Sequence, residues 1–125
     1  MQSEWNVIHT YTRAEALADG VLIDATELSR QAGFKIPVAL TCAAWERCVA
    51  VPPGTEGTQD TTGRLWDVLF MCRCGIAAEV REASEFRFGL SVITPRGSEL
   101  VMLKALIGPD DDGGPCLTIM LPEED

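Results

Sequence analysis

The spacing of apolar residues along this chain changes character part-way through. In "TRAEALADG", Ala14, Leu17 and Ala18 gather on one side of a helical wheel. Thr12 and Glu15 stand three apart as a capping box and Gly20 supplies a glycine stop, so a short helix is predicted. The apolar link "VLID" follows as an extended piece. Asp24 and Glu27 then repeat the capping spacing ahead of "LSRQA", with Gly33 ending a second short helix.

A third helix is predicted from Pro37 to Val49. Pro37 suits a first helical turn, Pro52 and Pro53 close the segment, and Val38, Thr41, Cys42, Trp45, Cys48 and Val49 share one helical face. On that reading both cysteines point inward. The stretch from Pro52 to Gly63 lacks periodicity and reads as a long irregular connection. A long helix is predicted from Thr62 to about Glu82, with Leu65, Leu69, Cys72, Ile76 and Val80 as its stripe, broadened by Trp66, Val68 and Phe70.

Beyond "REAS" the period shortens to two. Phe86, Phe88, Leu90 and Val92 alternate with Arg87, Gly89 and Ser91, the signature of a half-buried strand. "TPRGS" is turn chemistry, "ELVMLKALI" is a strand apolar on nearly both faces, and "GPDDDGGP" is a second turn. Leu117, Ile119 and Leu121 mark a third strand, stopped by Pro122. The predicted architecture is therefore α+β, with N-terminal helices packed on a C-terminal three-stranded antiparallel meander whose middle strand is central.

At 125 residues and 46% hydrophobic composition, the chain is expected to form a single globular domain, 1–125. Charge changes the picture more. There are 19 acidic and 10 basic residues, a formal net charge of -9, and the last eighteen residues hold six of the acids and no base. A surface of this sign repels phosphate, which argues against direct nucleic-acid binding and leaves a protein partner with a basic surface as the electrostatic complement. No apolar run reaches the roughly 18–20 residues of a membrane span, and "MQSEWNVIHT" lacks a secretory pattern. The expected location is cytoplasmic, with the five cysteines as free thiols.

Candidate chemistry is sparse. Cys72 and Cys74 project about 200° apart on a helix and cannot close on one ion. If Asp110 and Asp112 opened a calcium loop, Pro115 would fall where glycine is needed and Leu121 where glutamate is needed. No cofactor or metal is therefore expected. His9 is the sole histidine; with Tyr11 and Glu99 it makes the polar set an ADP-ribosyl transferase would use, the one enzymatic alternative the residue types allow.

Four stretches, "HTYTRAEALADGVLIDATELSRQAGFKIPVALT", "GRLWDVLFM", "LVMLKALIGPDDDG" and "LTIMLPEED", together resemble an uncharacterised family of small proteins encoded on bacterial plasmids, integrative elements and phages. The resemblance implies a mobile genetic element and transfers no catalytic residue. Small acidic proteins of such elements include anti-CRISPR and anti-restriction inhibitors that present carboxylates to a basic nucleic-acid channel. The leading expectation is accordingly a non-enzymatic binding protein inhibiting a host defence complex, with Asp110, Asp111, Asp112, Glu123, Glu124 and Asp125 as contacts at an acidic C-terminal sheet edge. Turn and tail flank one strand, about 20 Å apart at strand rise, so a partner must span two patches. The alternative is an accessory or structural homo-oligomer, a homodimer through an exposed strand edge or through Trp5 and Met120.

Overall fold

The computed structural model describes residues 11–78 and 84–124. Helix α1 (Arg13–Asp19) forms as its capping box predicts: the Thr12 hydroxyl accepts from the Glu15 backbone, and the Glu15 carboxylate accepts from the Thr12 backbone. Gly20 ends it in the left-handed region at φ 79°, where a side chain would be strained. Strand β1 (Leu22–Asp24) follows. In α2 (Thr26–Gln31) the cap position is Ala25, and Asp24 instead folds back onto the Thr26 N–H and hydroxyl.

The predicted helix from Pro37 to Val49 is not one element. Residues Val38–Thr41 are a strand, β2, and helix α3 occupies Cys42–Cys48. Offsets of three and four cannot separate helix from strand where the run itself is unbroken apolar. Here Val38, Ala39 and Leu40 are buried on both faces of a sheet. Thr41 marks the change of period, its hydroxyl accepting the Ala44 N–H at 3.2 Å as the cap of α3. The junction also turns Cys42 outward to solvent, against expectation, while Cys48 is buried.

The long helix α4 (Thr61–Ala78) buries Leu65, Val68, Leu69 and Cys72, and leaves Trp66, Phe70 and Ile76 substantially exposed. Val80 and the predicted end near Glu82 lie outside the described residues. At Gly75 the helix approaches the sheet so closely that a Cβ would stand 3.0 Å from the Phe86 ring.

The hairpin β3 (Glu85–Thr94) and β4 (Gly97–Pro109), with β5 (Pro115–Met120), forms the predicted meander, with β4 between its partners. The sheet is larger than that meander. It has five strands in the order β1-β2-β5-β4-β3, antiparallel throughout except where β2 runs parallel to β5 with Val38 opposite Leu117 and Leu40 opposite Ile119. The edges are therefore β1 and β3. Strand β5 is interior, which corrects the expectation that the acidic turn and tail decorate a sheet edge.

One face carries Leu40, Leu103, Leu117 and Ile119 with Phe86, Phe88 and Leu90 against α3 and α4, and this is the main core. The opposite face carries Ala39, Cys116, Thr118, Met120 and Lys104. Helix α1 lies against it, with the Arg13 guanidinium donating to the Thr118 hydroxyl at 2.7 Å and the Leu117 carbonyl at 3.0 Å. Met120 is buried there at 4% exposure, so it does not offer the dimer contact expected of it; Trp5 lies outside the described residues. Further along this face Leu100 and Met102 are exposed.

Candidate functional site: the acidic turn and its clasp on the first helix

The turn between β4 and β5 is built by its own acids. The Asp110 N–H donates to the Gly114 carbonyl at 2.6 Å, and the Gly113 N–H donates to the Asp110 carbonyl at 2.9 Å. Asp110 Oδ1 accepts the Asp111 N–H, and Asp112 Oδ1 accepts the Gly114 N–H. Gly113 takes φ 88°, the left-handed conformation that reverses the chain.

Asp111 does something the sequence did not foretell. Its two carboxylate oxygens accept the backbone N–H groups of Arg13 and Ala14, each at 2.9 Å. Those donors belong to the first turn of α1, where no intrahelical acceptor exists. The bonds from Ala14 and Arg13 hold the Asp111 carboxyl below the usual aspartate range, against a small opposing effect of burial. Because Arg13 reaches the neighbouring strand, the acidic turn, α1 and β5 form one clasp.

The tail is also partly committed. Glu124 Oε2 accepts the Thr41 hydroxyl at 2.7 Å and the Leu121 N–H at 2.8 Å, and its carbonyl accepts the ammonium of Lys104. Lys104 is itself buried. Of the six predicted contact residues, Asp112 and Glu123 are exposed and hold no cation among the described residues; Asp110 and Glu124 are half-buried; Asp111 binds α1; Asp125 lies outside the described residues. Turn and tail occupy opposite ends of β5 and stay two patches.

The described bases are unevenly available. Arg64 and Lys104 are buried, and Arg13 and Arg73 donate to main-chain carbonyls. Both ion pairs among the described residues converge on Glu99, with Arg47 at 3.0 Å and Arg96 at 3.8 Å. Among the described residues, the other surface acids have no cation within ion-pair distance.

His9 of the enzymatic alternative lies outside the described residues. The Tyr11 hydroxyl donates to Asp19 at 2.6 Å, a bond that raises its pKa, whereas Glu99 serves Arg47 and Arg96. The two have no partner in common. Cys72 and Cys74 lie on different sides of α4, one buried and one exposed. Burial pushes the Cys72 thiol up to about 12 and the Cys48 thiol up to about 11, so neither is a ready nucleophile at neutral pH. Cys116 is raised for the same reason.

Sequence reasoning passed over Arg64, which is 6% exposed. The signal was available, because Arg64, Val68 and Cys72 are spaced by four and so share the buried face of α4. Likewise the loop from Pro52 to Gly63 is held by short-range bonds. Thr55 donates to Pro52, Thr58 to Thr55 and Gln59 to the Thr55 hydroxyl, and Asp60 accepts the Gly63 N–H at 2.6 Å.

A mixed α+β protein with a five-stranded sheet, an acidic surface and a turn pinned to its first helix is what these observations define. The chain belongs to the family of unknown function DUF6573, whose model matches residues 2–125. Comparisons with curated proteins and with solved structures gave no match. Among the described residues no helix is long and apolar enough to cross a membrane.

Proposed function

We propose that this chain is a non-enzymatic binding protein of a mobile genetic element, and that it docks its acidic turn on the basic surface of a nucleic-acid-handling host defence protein. The observation that carries the reading is the contrast between acids and bases on the surface. Six of the nine described bases are buried, bonded to carbonyls or gathered on Glu99, leaving Arg30, Lys35 and Arg87 exposed, while Asp112 and Glu123 have no cation within ion-pair distance among the described residues. The Asp111 clasp supports it further, because a turn fixed to α1 presents Asp110 and Asp112 in a set orientation and loses little freedom on docking. Complementary fields of this kind raise association rate and select partners.

The test is affinity capture from the host with the wild-type chain and with Asp110→Asn/Asp112→Asn, followed by identification of what is retained. A nucleic-acid-binding protein retained by the wild type, released by added salt and lost with the variant supports the reading. Equal retention by the variant at low salt removes it.

A homo-oligomeric accessory protein is the second reading, favoured by one arrangement. Edge strand β3 pairs with β4 alone, and beside it Leu100 and Met102 are 73% and 46% exposed, their side chains within 3.4 Å of where a Cβ on Gly89 would stand. Concentration-dependent sedimentation abolished by Met102→Glu supports this reading; a monomer at all concentrations removes it.

A further inference from the structure

Arg64 projects from the first turn of α4 into the interior, and its bonds are unusual for a buried cation. Nε donates to the Val49 carbonyl at 3.2 Å, and Nη1 donates to Gln59 Oε1 at 2.8 Å and to the Ile93 carbonyl at 2.9 Å. Every acceptor is neutral. No carboxylate among the described residues lies within ion-pair distance of it. Nη2 has no hydrogen-bond partner among those residues, and since no fully buried side-chain nitrogen there is left unpaired, it reaches solvent. Burial disfavours the charged guanidinium, which the nearby Asp67 carboxylate offsets in part. A largely buried cation with no carboxylate in direct contact is costly to a fold, and an anion seated beside it relieves that cost.

There is room for one. A cavity of about 240 Å³ opens beside Arg64, lined also by Gln59, Asp67, Leu90, Ser91 and Ser98. A second, wider cleft shares Gln59, Asp67 and Ile93 with it. A single guanidinium balances a single negative charge, and Asp67, one helical turn beyond Arg64, repels anything more highly charged. Leu90 and Val92, buried on the core face of β3, give the cavity an apolar wall.

We propose that Arg64 anchors a binding site for a small monocarboxylate, with the carboxylate on Nη2 and a short alkyl group against Leu90 and Val92. The ligand's chemistry is set by three features: one cation, an acid beside it in the lining and an apolar wall. The site is independent of the acidic turn, so either proposal stands if the other fails.

The probe is propionate, titrated into the full ¹⁵N-labelled chain against sodium chloride at matched ionic strength, with the Arg64 Nε–Hε resonance as readout. The expected result is a saturable displacement by propionate, half-complete in the millimolar range as befits so small a ligand, and no saturable displacement by chloride. Phosphate should be weaker than propionate because of Asp67, and Asp67→Asn should narrow that difference. Val92 lies in the cavity wall, so its backbone amide should follow propionate in the wild type and not in folded Arg64→Met. A linear response, an equal response to chloride, or a Val92 displacement that survives in folded Arg64→Met overturns the proposal and leaves Arg64 as a staple between Val49, Gln59 and Ile93.

Discussion

The carboxylate of Asp111 accepts the backbone N–H of Ala14 at 2.9 Å, across ninety-seven positions of sequence. A carboxylate on the free donors of a helix's first turn is favourable through both the hydrogen bonds and the local dipole. It follows that this aspartate is a structural residue within a patch otherwise open to solvent.

Its pH dependence can be predicted from the sign of the shift. The folded-state pKa of Asp111 is lowered, so its contribution to stability is complete above the ordinary aspartate value of about 3.9. It is lost as pH falls through the lowered folded value. Thermal melts in acid should show the wild type losing an increment of stability in that window. Asp111→Asn should have a lower melting temperature at neutral pH and a flatter profile below pH 4. Parallel profiles for the two proteins would contradict the clasp.

Thr41 has two duties, capping α3 and donating to Glu124. Thr41→Ala removes both and should cost about 1–2 kcal/mol in denaturant unfolding. Thr41→Ser keeps both oxygen contacts and should cost well under half of that. Equal losses would mean that the methyl group matters and the hydroxyl does not.

Gly20 offers a cleaner backbone experiment. Nothing lies within 4 Å of a Cβ built there, yet its φ is 79°. Gly20→Ala should therefore destabilise by about 1 kcal/mol through backbone strain alone. Gly20→Asn should recover part of that, since Asn tolerates this conformation better. Circular dichroism melts of the three proteins decide it.

Thiol accessibility divides the cysteines. Cys42 and Cys74 are exposed, whereas Cys48, Cys72 and Cys116 are buried with raised pKa values. A chromogenic disulfide reagent at pH 8 should titrate two thiols promptly in the native protein and the remaining three only after denaturation. Prompt reaction of Cys42 separates the strand-then-helix junction at Thr41 from a continuous helix with Cys42 inward.

These cases also show what could be read ahead of the structure. Local chemistry was legible: the Thr12–Glu15 box, Gly20 and the alternation from Phe86 to Val92 all became the elements they signal. Non-local pairing was not. Strand β1 is three residues long, and β2 is an apolar run that fits either period. Their place in the sheet depends on Leu117 and Ile119, nearly eighty positions away. The acidic residues were legible as charges, but the division among them was not, because Asp111 is assigned to α1 and Glu124 to Thr41 by contacts with no sequence signature. Arg64 was missed for another reason: a charged residue at a core spacing is easily discounted, though the spacing itself was visible.

The parallel pairing of β2 with β5 has a consequence for biogenesis. Strand β5 is threaded between β2 from the N-terminal half and β4 from the hairpin, so the sheet cannot be completed in order of synthesis. Until the segment through Met120 has left the ribosome, Val38 and Leu40 lack their β5 neighbours, and the nascent chain displays an unfinished apolar surface. Folding should therefore be late, cooperative and slow for a chain of this size, with nascent-chain arrest upstream of Pro115 yielding protease-sensitive species and release past Met120 yielding resistant ones.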